Sequence, residues 1–159
     1  MQASFQKIGH SQKTLDFNPK ARATVRTDRH TSSLLTVHMV ITPKYRARIL
    51  KDEVAIECEA LIRYTCRVLD VKIIEMAVAE DHVHLFLQYP PKLSPSKVIE
   101  KIKSNTSRHL RLKFPHLREW NRKALWAPGC FHGSVGQGFD VVKKYIAGQR
   151  QYRDRIRPG

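Results

Sequence analysis

The sequence predicts an α+β domain: a ferredoxin-like (RRM-like) antiparallel sheet with helices on one face, plus a C-terminal helix. Three observations predict it. The elements alternate in the order β-α-β-β-α-β-α, the pattern of a split βαβ unit. Long segments with apolar residues at helical spacing separate short β-branched apolar runs bounded by turn residues. The chain has 159 residues and 42% hydrophobic content, which suits one core and is too short for two domains of ordinary size.

Residues 1–32 are mostly polar with neither helical nor strand periodicity, and are expected to form a mobile extension or strand-binding arm. Leu34 to Thr42 (LLTVHMVIT) is β-branched and apolar up to Pro43, a strand buried on at least one face. Residues 53–69 place Val54, Cys58, Leu61, Ile62, Thr65 and Leu69 at helical spacing, with acidic residues early and Arg63 and Arg67 late, as the helix dipole favours. Lys72 to Ala79 and His82 to Tyr89 are two strands joined by Glu80-Asp81. Ser94-Pro95 reads as an N-cap followed by proline at the first helical position. That helix runs from Pro95 to Phe114, with Val98, Ile102 and Leu110 inward, and Pro115 stops it. Residues 124–135 read as a strand with a Pro-Gly interruption, Gly136 and Gly138 as a turn, and Phe139 to Tyr152 as the last helix. The expected layout is an extension over 1–32, a domain over 33–152 and a basic tail over 153–159.

Charge narrows the function. Lys and Arg number 29 against 14 Asp and Glu, a net +15. Residues 90–159 hold 16 basic and 4 acidic side chains, whereas 33–89 are close to neutral. An excess so concentrated points to a polyanionic partner and a dedicated binding face. Lys97, Lys101, Ser104, Arg108 and Arg111 recur in steps of four and three, which lines one stripe of the second long helix. Lys143 and Lys144 add to this field. Three irregularly spaced Cys without a signal peptide argue against a secreted disulfide scaffold. The apolar runs are shorter than the roughly 18 residues of a membrane span. A soluble, cytoplasmic domain with no membrane and no small-molecule cofactor is expected. Cys58 and Cys66 lie eight apart on the apolar side of the first helix and are read as core.

Two clusters suggest chemistry. His82-Val83-His84 places two imidazoles on one face of a strand, a ready pair of metal ligands, with Glu80 and Asp81 available to hold a ring N–H. Tyr145 and Gln149, four residues apart, share a helical face. A phenol beside cationic side chains and a metal-bound phosphate is a competent nucleophile toward phosphorus, and it is equally a common amphipathic core residue. Tyr152, seven residues on, lies near the same face. Trp120 and Trp126 suit base stacking and core or dimer packing alike. His38, His109, His116 and His132 are read as packing or surface residues.

These residues fall into ordered blocks that carry a family resemblance. Pro43-Lys44-Tyr45-Arg46, Asp81-His82-Val83-His84-Leu85, Ser107-Arg108-His109-Leu110-Arg111 with Phe114-Pro115-His116-Leu117, Leu125-Trp126 with Gly133-Ser134-Val135-Gly136, and Tyr145-Ile146 with Gln149 follow one another from about residue 33 to 151. In this the chain resembles the single-tyrosine HUH transposases of the IS200/IS605 type. It departs from the family's pattern at Ala79-Glu80, where Met-Pro is usual, and at Gly148, where a helix former is common.

The resemblance implies that His82, His84 and Gln149 bind one divalent ion, Mg²⁺ or Mn²⁺, and that Tyr145 on the last, nucleophile-bearing helix attacks DNA. It implies a 5′-phosphotyrosine intermediate, rejoining by a second 3′-OH, and a homodimer acting on single-stranded DNA with hairpin ends. The Gly136–Phe139 connection would let that helix complete a site on the partner subunit. The Lys97, Lys101, Arg108 and Arg111 stripe is a candidate for DNA-backbone contact on charge alone. Two other readings remain open at this level. One is a ferredoxin-like nucleic-acid-binding module or domesticated relative without strand transfer; the other is a replication-initiator or relaxase-type nuclease.

Overall fold

The computed structural model describes residues 24–28 and 31–134. Two three-residue strands come first, β1 (Arg26–Asp28) and β2 (Thr31–Ser33), paired antiparallel. They are followed by β3 (Thr36–Ile41), α1 (Asp52–Val68), β4 (Lys72–Val78), β5 (Val83–Gln88), α2 (Pro95–Lys113), α3 (Pro115–Trp120) and β6 (Phe131–Ser134). The main sheet has the order β4-β5-β3-β6 with every neighbour antiparallel. This is the split βαβ order expected from the sequence, with β5 inserted between the two strands that α1 connects.

Alternation along the strands gives the sheet two different faces. Val37, Met39 and Ile41 of β3, Met76 and Val78 of β4, and Val83, Leu85 and Leu87 of β5 face the helices. They share one core with Val54, Cys58 and Ile62 of α1 and Val98, Ile102 and Leu110 of α2. The other face carries His38, Val40, His84, Phe86 and Gln88 by the same alternation. Every residue of β5 is buried, so this strand reads as a nearly continuous apolar run even though its faces differ.

The helix ends follow their local chemistry. Ser94 caps α2, its hydroxyl accepting the Lys97 N–H at 3.2 Å. At the end of α1 the Val71 N–H reaches the Cys66 carbonyl at 2.8 Å and the Asp70 N–H reaches Arg67 at 3.2 Å, with Asp70 in the left-handed region at φ 59°. That pattern is a Schellman motif with aspartate where glycine is commoner. Asn105 Nδ2 donates to Thr65 Oγ1 at 2.7 Å and ties α2 to α1.

Three sequence expectations are corrected. The segment read as aperiodic before residue 33 contains β1 and β2, anchored where Gln88 Nε2 donates to the Thr24 carbonyl at 2.5 Å. Pro115 ends α2 and also opens α3, because a proline at the first helical position sacrifices no helical hydrogen bond. Of the strand expected over 124–135, the described residues form only Phe131–Ser134. Residues 125–127 instead clasp the chain after β3: Lys44 N–H donates to Leu125 O, Ala127 N–H donates to Thr42 O, each at 2.9 Å, and Pro43 bridges Trp126. Trp126 is core, its indole N–H donating to Thr106 Oγ1 at 2.9 Å. The expected helix over 139–152 lies outside the described residues.

Candidate metal centre

β5 begins one residue after His82, and the hairpin from β4 continues through it: Ala79 N–H donates to the His82 carbonyl at 2.9 Å. His82 and His84 therefore keep the shared face that their spacing predicts. Their ring centroids lie 4.8 Å apart, edge to face. His84 is 7% exposed, flanked in the sheet by Val40 and Ala77, while His82 sits at the half-buried strand entrance.

Each ring has its Nδ1 engaged. His82 Nδ1 donates to Asp81 Oδ1 at 2.6 Å, and Arg46 reaches the other Asp81 oxygen at 3.3 Å. Burial acts to raise the Asp81 pKa, but the hydrogen bond and charge of His82 and the Arg46 guanidinium outweigh it and hold the carboxyl below its ordinary range. An ionised Asp81 keeps a proton on His82 Nδ1, so that the neutral form of the ring carries its lone pair on Nε2. His84 Nδ1 lies 3.2 Å from His38 Nε2, with the two rings stacked at 5.5 Å between centroids. Burial first, then the neighbouring His82 and His38, lower the His84 pKa to about 4; burial lowers that of His38 as well. His84 is thus neutral at physiological pH, the form in which an imidazole ligates a metal.

His38, expected from the sequence to be a packing or surface residue, belongs to this cluster. The strand register explains its place: Val40 opposes His84 and His38 opposes Phe86, so His38 and His84 are diagonal neighbours on one face. Phe131 of β6 packs edge-on against the His38 ring at 6.2 Å. A histidine in the middle of an otherwise apolar strand was the available signal.

Two imidazole donors side by side suit a divalent transition ion, and a hard ion less well. Among the described residues no group of three or more His, Cys, Asp or Glu is arranged to hold a metal. Tyr145, Gln149, Lys143 and Lys144 lie outside the described residues. Cys58 and Cys66 are buried in the core, where burial pushes both thiols up to about 12, which leaves them chemically quiet.

The basic stripe does not converge on the imidazoles. Lys97, Lys101 and Arg108 are exposed on α2, opposite the side that packs on the sheet, while His38 and His84 occupy the sheet's other face. Lys97 pairs with Glu100 at 3.1 Å. Arg111 turns inward and donates to the carbonyls of Asn121 and Arg122 at 3.3 and 2.6 Å, holding the end of α3. The cation tied to the imidazole pair is instead Arg46, in the turn after β3, through its contact with Asp81.

The family described as "Transposase IS200 like" matches residues 31–149, three quarters of the chain. The chain belongs to the IS200-like transposase family. It is similar to the transposase for insertion sequence element IS200 of Salmonella typhimurium, 29% identical over 121 residues that cover 76% of this chain and 80% of that one. It is also similar to the ISDra2 transposase TnpA of Deinococcus radiodurans, 29% identical over 118 residues, 72% of this chain and 84% of the relative.

Among solved structures, a candidate transposase from Deinococcus radiodurans R1 superposes with a TM-score of 0.66 at 26% identity, covering 79% of this chain and 98% of the other. A REP-associated tyrosine transposase bound to a REP hairpin superposes at 0.57 with 14% identity, covering 82% and 74%, and shares the fold. The chain is therefore an IS200/IS605-family DNA transposase built on this sheet. The matched region takes in both imidazoles and reaches Tyr145 and Gln149, and it begins at β2, leaving β1 outside.

Proposed function

We propose that this transposase cuts and rejoins single-stranded DNA at the His82–His84 pair, with Tyr145 as nucleophile. The observation that carries the reading is the imidazole pair itself: the rings lie 4.8 Å apart and each has Nδ1 in contact with a neighbour, which leaves both Nε2 atoms available to a ligand. Gln149 would complete the protein donors for one divalent ion, Mn²⁺ or Mg²⁺. When bound, that ion polarises the scissile phosphate and offsets charge developing on its oxygens.

The remaining work belongs to the protein's own residues. Asp81 holds His82, and His38 Nε2 pairs with Nδ1 of His84. The Tyr145 phenol gives up its proton to solvent and its oxygen forms a bond to phosphorus as the P–O3′ bond breaks, while the released 3′ oxygen takes a proton from solvent. The 5′ end stays as a phosphotyrosine ester, so the energy of the bond is retained. A second 3′-OH attacks that ester, rejoins the strand and returns the phenol. Hairpins at the element ends would supply recognition, as a REP hairpin is bound by the structural relative. A homodimer in the cytoplasm is the working form in this reading, with Lys97, Lys101, Arg108, Lys143 and Lys144 contributing backbone contacts.

Mn²⁺ titration followed by electron paramagnetic resonance, alongside cleavage of a labelled hairpin-ended single strand, tests the site. His82→Ala and His84→Ala should each abolish cleavage and remove ordered Mn²⁺ binding. His38→Ala should weaken Mn²⁺ binding by about 10–100-fold, as loss of a hydrogen bond to a ligand does. Cleavage that persists in the His82→Ala/His84→Ala double variant contradicts the reading. DNA binding without cleavage by the wild-type protein would favour a module that has lost strand transfer.

A further inference from the structure

We propose that the turn at residues 44–48 is a grip for the DNA strand beside the imidazole pair, with the Tyr45 ring stacking on a base. The inference rests on the reading of His82 and His84 as the cleavage site, and adds the surface that holds the strand there.

Four observations point to it. Tyr45 lies two residues beyond the bridge at buried Pro43 and four beyond the end of β3, yet it is 80% exposed. Tyr45 and Arg46 are consecutive non-glycine residues in the left-handed region, at φ 60° and 50°. Such backbone strain concentrates at functional positions and persists only when its surroundings enforce it. Here they do: Lys44 N–H donates to Leu125 O at 2.9 Å, Arg46 N–H to Pro43 O at 3.0 Å and Ala47 N–H to Lys44 O at 3.3 Å. The ring is thus held out toward solvent by a fixed turn.

The third observation is location. Arg46 contacts Asp81, and Asp81 holds His82, so two side-chain contacts connect the turn to the candidate ligand. The fourth is chemistry. The Lys44 ammonium lies 5.6 Å from the centre of the Tyr45 ring, and exposed Arg48 follows in the same turn. An exposed aromatic bracketed by cations fits a single strand, whose bases stack on the ring while the phosphates meet the charges. A protein partner would be expected to use apolar neighbours, and the residues adjoining Tyr45 are Lys44 and Arg46.

The test is fluorescence anisotropy of the full chain with fluorescein-labelled oligothymidylate in EDTA, so that binding is read without metal or cleavage. Tyr45→Gly relieves the left-handed strain, so its Tm should equal or exceed that of the wild type, yet oligothymidylate binding should weaken about tenfold or more. Tyr45→Phe keeps the stacking surface and should bind as the wild type does. Lys44→Gln/Arg48→Gln should weaken binding and flatten its salt dependence. Unchanged binding by Tyr45→Gly overturns the proposal, as does Tyr45→Phe binding as weakly as Tyr45→Gly. A change in oligomeric mass of Tyr45→Gly with unchanged DNA binding would assign the turn to self-association instead. If the wild type forms no covalent adduct but its oligothymidylate binding depends on Tyr45, the grip stands and the cleavage reading falls.

Discussion

His84 shows how burial and two neighbouring histidines prepare one side chain. Its ordinary pKa of 6.5 is lowered to about 4 by burial and by the adjacent histidines. Above pH 6.5 folded and unfolded chains both hold it neutral and it adds nothing to pH dependence. Between pH 6.5 and about 4 the unfolded chain binds a proton there that the folded chain does not, so stability falls as pH drops. His38, lowered in the same direction, adds to the trend. The metal-free protein should lose on the order of 2 kcal/mol across this window through His84. Urea unfolding in EDTA at pH 7 and pH 5 checks this, with His84→Leu losing less than the wild type; equal losses would contradict it. At this scale the His82/His84 pair was legible because a two-residue spacing fixes a common face. His38 was not, since its partner is set by the register of β3 against β5, which one strand's sequence does not encode.

At the scale of elements, local signals and long-range ones separate cleanly. The Ser94-Pro95 start of α2 was readable because cap and first-turn chemistry are both local. Replacing Ser94 by Ala should lower stability by about 1 kcal/mol, by loss of the side-chain bond to the Lys97 N–H. Thermal and urea melts measure it, and an unchanged midpoint would mean that the cap contributes nothing. The span 124–135 misled because its residues are β-prone but its partners are tertiary. Leu125 and Ala127 pair with the chain at Thr42 and Lys44, and Lys103 donates to the carbonyls of Ala127, Pro128 and Gly129 at 2.5, 3.2 and 3.2 Å. A lysine reaching 24 residues onward leaves no trace in local periodicity. Pro115 was ambiguous for the opposite reason: the same residue that ends one helix is favoured at the start of the next.

For the whole molecule, the charge imbalance and fold order were readable, but the layering was not. Helix α2 and its exposed cations lie on one side of the sheet, and the imidazoles on the other. The turn at residues 44–48 is linked to the imidazole side through the Arg46–Asp81 contact, whereas Lys101 and Arg108 are on the helix side. Among the described residues no helix is long and apolar enough to cross a membrane.

Covalent trapping tests strand cleavage by Tyr145 at the imidazole pair most directly. The protein is incubated with labelled single-stranded hairpin DNA and Mn²⁺ or Mg²⁺, then resolved on a denaturing gel. The predicted result is a metal-dependent shifted band that disappears in Tyr145→Phe and in His84→Ala. A band that survives Tyr145→Phe would contradict the account and move the nucleophile to another residue, Tyr152 first.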